Sequence, residues 1–278
     1  MIQQLWQQKT PDKLENEGLF HIPNENDQEF YARMEKLSAE LSAIQDGSSD
    51  LMSFVQKGTP IPNKLRDAAD NLTWEKYRFR AEWVPAWYSS EITGRLSAGI
   101  TLVVDGILPM IFLHGSFMHR KRRMGYDAAE TLAHELVHAA RTAFPDSVYD
   151  EFFPCQIHQA KFRRYAGNIF RKWYLPMMLL GGIAAAPVLA AAGCSFWGVT
   201  LIAPLIVIAR EFQLRQRIRN AADNLRNAGF DPMPVLLRMS DREIFETATL
   251  TREQLAAKKA SSPRWQQFAD CFPIKTEL

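Results

Sequence analysis

The sequence predicts an α+β fold that is mainly helical. A small antiparallel or mixed sheet is expected beside a helix carrying His134-Glu135-x-x-His138, together with a hydrophobic helical hairpin. Three observations predict it. Apolar residues recur at helical spacing through residues 1–80 and 210–278, and Val, Ile, Trp, Tyr and Phe concentrate between residues 81 and 118. From Trp173 to Ala209 no side chain is charged.

With 278 residues, the chain can build one large domain or two modest ones. Its 47% apolar and 23% charged content excludes whole-chain disorder. Lysine and arginine exceed aspartate and glutamate by 33 − 31 = 2, so there is no global basic field and no nucleic-acid partner is expected. Cys155, Cys194 and Cys271 are odd in number and lack C-x-x-C spacing, which argues against a disulfide scaffold or a Cys-rich zinc finger and fits reducing surroundings. Met1 to Lys13 holds no hydrophobic run of signal-peptide length.

Residues 1–80 form an N-terminal helical region. Asn24-Glu25-Asn26-Asp27 offers N-caps to a helix with Phe30, Met34, Leu37, Leu41 and Ile44 on one face. Gly47-Ser48-Ser49-Asp50 ends it, Gly58-Thr59-Pro60-Ile61-Pro62 ends a short helix near Val55, and a third helix follows from about Asn63 to Tyr77. Residues 81–172 form the core that carries the chemistry. Ala81–Tyr88, Gly99–Val104 and Leu108–Phe117 read as strands of an antiparallel meander, with Asp105-Gly106 as a hairpin turn. His119-Arg120-Lys121-Arg122-Arg123 then makes a basic surface connection. Asp127 and Glu130 stand at capping-box spacing before a helix that Pro145 ends, and Ser147 can start another covering Val148 to about Trp173.

His134 and His138 lie four apart on one helix face, so both imidazoles can reach a single ion. Zinc binds neutral imidazole well, and three protein ligands leave a position for water. Glu135, one step round the helix, is placed to take a proton from that water instead of binding the ion, which points to hydrolysis of a polarised carbonyl.

On these residues the chain resembles the zincin metallopeptidases, with His134, Glu135 and His138 matching their HExxH motif. The longer metzincin pattern is absent, because its Gly and third His fall on Arg141 and Phe144. The resemblance implies a Zn2+ cofactor, a peptide or protein substrate, Glu135 as catalytic base, and an edge strand that holds the substrate, for which Leu108–Phe117 is the candidate. It also implies, in gluzincins, a third zinc ligand from a Glu on the following helix. Glu151 in Val148–Phe153 fits that place, with Asp150 pointing about 100° away. His158, seven residues after Glu151 on the same face, is an alternative ligand or oxyanion stabiliser, and Tyr149 a weaker candidate for the latter. In the HtpX-like membrane peptidases a hydrophobic hairpin separates HExxH from the liganding Glu. Glu211, just past the uncharged stretch, is therefore the second choice, although that family's Ala-Asp is replaced by Leu214-Arg215.

As helix, residues 173–209 would run roughly 55 Å, nearly twice a bilayer core. Two legs fit, Tyr174–Ala191 and Phe196–Ala209, turning at Ala192-Gly193-Cys194-Ser195. Gly181, Gly182 and Ala184 to Ala186 would let them approach closely. Lys161, Arg163, Arg164, Arg171 and Lys172 before the stretch, and Arg210, Arg215, Arg217 and Arg219 after it, predict that both flanks stay in the cytoplasm in contact with membrane lipid. Residues 210–278 read as a helical tail with capping boxes at Ser240–Glu243 and Thr251–Gln254 and a last helix opened by Pro263. The expectation is a membrane-anchored zinc metallopeptidase. The alternative is a membrane-bound adaptor or regulator whose zinc site is structural or inactive, closed by a fourth ligand such as His158 or Asp150.

Overall fold

The computed structural model describes residues 11–145, 148–172 and 174–274, so most of the polar N-terminal stretch lies outside the described residues. The fold is α+β and mainly helical, as expected. The chain divides into two compact units: residues 1–145 with 233–240 and 270–272, and residues 146–232 with 241–269 and 273–278.

In the first unit, α1 (Pro11–Glu15) precedes α2 (Asp27–Gln45). Asn26 caps α2 by accepting from the Glu29 N–H, and Glu29 accepts in return from the Asn26 N–H, so two helix-end donors are satisfied at once. Then follow α3 (Met52–Val55), β1 (Thr59–Pro60), α4 (Asn63–Tyr77), β2 (Ala86–Tyr88), α5 (Ser90–Thr93), β3 (Gly99–Val104) and β4 (Leu108–Leu113). The Asp105-Gly106 turn has φ of 50° and 70°, and Ile107 N–H donates to the Val104 carbonyl, closing the hairpin as predicted.

The sheet runs β1-β2-β4-β3 and corrects two expectations. β2 pairs parallel with β4 instead of entering an antiparallel meander. β4 lies inside the sheet with every residue buried, so Leu108–Phe117 does not supply an edge; the edge beside β4 is β3. An unbroken apolar run such as Leu-Pro-Met-Ile-Phe-Leu suits a strand covered on both faces. Leu108, Met110 and Phe112 join Phe30, Met34, Leu37 and Leu41 of α2 in one core cluster. Leu113, on the other face, lies with Gly99 against Thr131 and Glu135.

The basic stretch resolves into β5 (Arg122–Arg123), paired with β6 (Tyr126–Asp127). Arg123 donates to the Ser97 and Arg95 carbonyls, tying this connection to the loop before β3. Helix α6 (Ala128–Arg141) follows, its N-cap Asp127 accepting from the Ala129 and Glu130 N–H groups.

In the second unit the single helix expected over 148–173 is broken. α7 (Phe152–Cys155) is one turn, α8 (Lys161–Ala166) is short, and a 3-10 turn covers Gly167–Arg171. Pro154 has no N–H to donate, which opposes continuation through this segment. α9 (Tyr174–Ala191) coincides with the first predicted leg. Gly193, at φ 73°, turns the chain, with Cys194 N–H on the Leu189 carbonyl and Gly193 N–H on that of Ala190. After a 3-10 turn (Trp197–Leu201), α10 (Ile202–Asn227) carries the second leg on without a break into the basic tail. Both apolar segments are long and apolar enough to cross a membrane. Leu180, Ile183, Val188, Leu205, Ile206 and Ile208 are all at least half exposed, while Pro204, Val207, Glu211, Leu214, Ile218, Ala221 and Leu225 form the buried stripe of α10.

The remaining helices are α11 (Pro232–Leu237), α12 (Asp241–Thr247), α13 (Arg252–Ser261) and α14 (Pro263–Cys271). The Thr251–Gln254 capping box is formed, and Pro263 opens the last helix, both as expected.

Candidate metal centre

Helix α6 brings its two histidines together. The Nε2 atoms of His134 and His138 are 3.2 Å apart, with ring centroids at 5.0 Å. Two nitrogens at that separation, each bound at about 2.0–2.1 Å, subtend about 100° at a common zinc ion, close to a tetrahedral angle. Both rings are half-buried on a helix that packs against β3 and β4. The pair therefore fits a first-row divalent cation in donor type and in bite.

Glu135 points to the sheet. It is 6% exposed, and Thr101 of β3 donates its hydroxyl to Glu135 Oε2 at 2.7 Å; the same hydroxyl is 3.2 Å from the Glu135 backbone carbonyl. Thr101 carries no motif, so sequence reasoning passes over it. The usable signal is its position two residues from Gly99, on the same face of a strand next to the helix. Arg141, at the position where metzincins need Gly, is buried and donates to the Leu237 and Met239 carbonyls, with its guanidinium 4.7 Å from the Phe144 ring. This holds the far end of α6.

The acidic candidates lie in the second unit. Glu151 is half-buried at the N-cap of α7, with the Cys155 sulfur 4.0 Å from its Oε2. The first unit thus brings His134 and His138 together by itself, and Glu151, Asp150, His158 and Glu211 all belong to the second. His158 is buried, and the break in the helix after Cys155 removes the shared face with Glu151 that its spacing implied. Tyr149 is buried and donates its hydroxyl to the Leu214 carbonyl at 3.2 Å. Glu211 is buried on α10, where Asn168 Nδ2 donates to its Oε2 at 2.8 Å.

Compared with family models, curated proteins and solved structures, the chain matches none, so the functional reading rests on this site and the apolar helices.

Proposed function

We propose that this chain is a membrane-anchored, zinc-dependent endopeptidase of gluzincin type that hydrolyses peptide bonds on the cytoplasmic side. One observation carries the reading: two imidazole nitrogens converge to 3.2 Å on one helix face, with the buried Glu135 carboxylate next to them in the chain. His134 and His138 would hold the ion, with Glu151 the third, carboxylate ligand that the resemblance to gluzincins implies. A bound divalent ion contributes Lewis acidity toward the scissile carbonyl. The remaining chemistry belongs to the chain. Ionised Glu135 accepts a proton from the attacking water on a carboxylate oxygen, then delivers it to the departing amine.

Edge strand β3 offers main-chain hydrogen bonds to an extended peptide, a role first assigned to the β4 segment. The two apolar helices supply the anchor, and the cationic flanks around Lys161–Lys172 and Arg210–Arg219 favour a cytoplasmic orientation.

Metal analysis of the purified full chain tests the reading. About one zinc per chain is expected, lost in His134→Ala but kept in Glu135→Gln, which should no longer hydrolyse peptide bonds. A wild-type chain without stoichiometric metal, or undiminished hydrolysis by Glu135→Gln, rejects it.

A further inference from the structure

We propose that Thr101 is a positioning residue for Glu135: its hydroxyl, presented by the edge strand, holds the carboxylate in the orientation from which it handles the proton. This rests on the hydrolytic reading of the site.

The geometry is local and mutually consistent. The Thr101 hydroxyl has one proton, and its shorter contact, 2.7 Å, is to Glu135 Oε2. A hydrogen bond to an ionised carboxylate is stronger than a neutral one, and Glu135 is too buried for bulk water to compete freely. The strand carrying the hydroxyl is fixed in register by continuous pairing with β4, from Gly99 opposite Leu113 through Thr101 opposite Ile111 to Val104 opposite Leu108. Gly99 lets that strand lie against the helix. A Cβ there would sit 3.0 Å from Glu135 Oε1, from Thr131 Cγ2 and from Leu113 Cδ2, so the strand runs close against the side chains of the helix at this point. Without the hydroxyl, a carboxylate on a flexible side chain loses a constraint on its torsions, and small misplacements of a proton-transfer group cost up to about 100-fold in rate.

The test uses the full chain in detergent with Thr101→Val, Thr101→Ser, Glu135→Ala and the Val/Ala double variant. In metal-stripped protein, Thr101→Val should lower the thermal midpoint by roughly 2–4 °C, and by nothing resolvable when Glu135 is already alanine. In zinc-loaded protein acting on fluorescein-labelled casein, Thr101→Val should retain its zinc and lower kcat about tenfold or more, with KM within about twofold. Thr101→Ser, which keeps the hydroxyl, should stay within about threefold of wild-type kcat.

Equal midpoint losses in both backgrounds, loss of zinc by Thr101→Val, or unchanged kcat in that variant would overturn the proposal. Should casein go uncleaved, or Glu135→Gln stay active, the failure lies with the hydrolytic reading. The coupling measured in metal-stripped protein then still decides whether Thr101 holds Glu135.

Discussion

Gly182 of α9 lies at a close approach within the apolar hairpin. A Cβ on it would lie 2.5 Å from Pro204 Cδ and from the Thr200 carbonyl oxygen, whereas one on its neighbour Gly181 would meet nothing within 4 Å. The two glycines thus make an internal control. Replacing a helical glycine by alanine contributes up to about 1 kcal/mol through helix propensity, and Gly181→Ala should show only that gain. Gly182→Ala must also push apart backbone and a proline ring, and overpacking of this kind costs about 1–3 kcal/mol. The second term exceeds the first, so the two substitutions should separate by about 1–3 kcal/mol, or roughly 2–10 °C in midpoint for a chain of this size. Thermal unfolding in detergent micelles, followed by tryptophan fluorescence, reads the difference directly. Equal midpoints for Gly181→Ala and Gly182→Ala would refute the close approach of the two helices at this level.

Arg238 is fully buried, pairs with Glu15 at 3.1 Å and donates to the Tyr77 and Pro234 carbonyls, so Arg238→Met strands a buried carboxylate and should cost about 3–5 kcal/mol in urea unfolding; an unchanged midpoint would deny that clamp. Burial pushes the Glu25 carboxyl up, but the hydrogen bonds and charge of Arg33 and the Ile22 N–H outweigh it and hold the group below the ordinary 4.5. Because the folded value lies below the unfolded one, the stabilisation is complete above the ordinary value and is lost as pH falls through the lowered one. Wild type and Glu25→Gln should therefore differ in thermal midpoint near neutral pH and converge in acid, and a constant gap would contradict the pairing. Membranes washed in alkaline carbonate should retain the full chain in the pellet, and complete release would defeat membrane embedding.

What was legible in the sequence was local chemistry. Asn26 and Asp127 cap their helices, Asp105-Gly106 turns the hairpin, and α4 and α9 run over the predicted residues because each signal lies within a few residues of what it controls. The HExxH spacing likewise brought His134 and His138 together, since a helix of fixed pitch leaves little choice. Pairing was not legible. Nothing in Ala86–Tyr88 says that it runs parallel to β4 instead of against β3, because the partner is chosen by long-range packing. The position of β4 could have been read, since a strand with no polar residue is poorly suited to an edge. The apolar pattern from 148 runs across Pro154, whose ring and missing N–H oppose a helical turn on its N-terminal side, so one continuous helix does not form there. The Thr101–Glu135 contact was hard to read because it depends on which strand packs against α6, and a lone threonine in Ile-Thr-Leu-Val looks like any β-former.

The buried stripe of α10, from Pro204 and Val207 through Glu211, Leu214 and Ile218 to Ala221 and Leu225, keeps an alternating three-and-four spacing along the whole helix, and no glycine or proline interrupts it after Pro204. Such a rod transmits rotational phase. One residue inserted near Ile208 would turn everything beyond it by about 100° and carry Leu214 and Ile218 off their packing partners, whereas seven would restore the angle to within about 20°. Lengthening this apolar leg is therefore tolerable only in steps that restore the helical phase, such as about seven, eleven or eighteen residues.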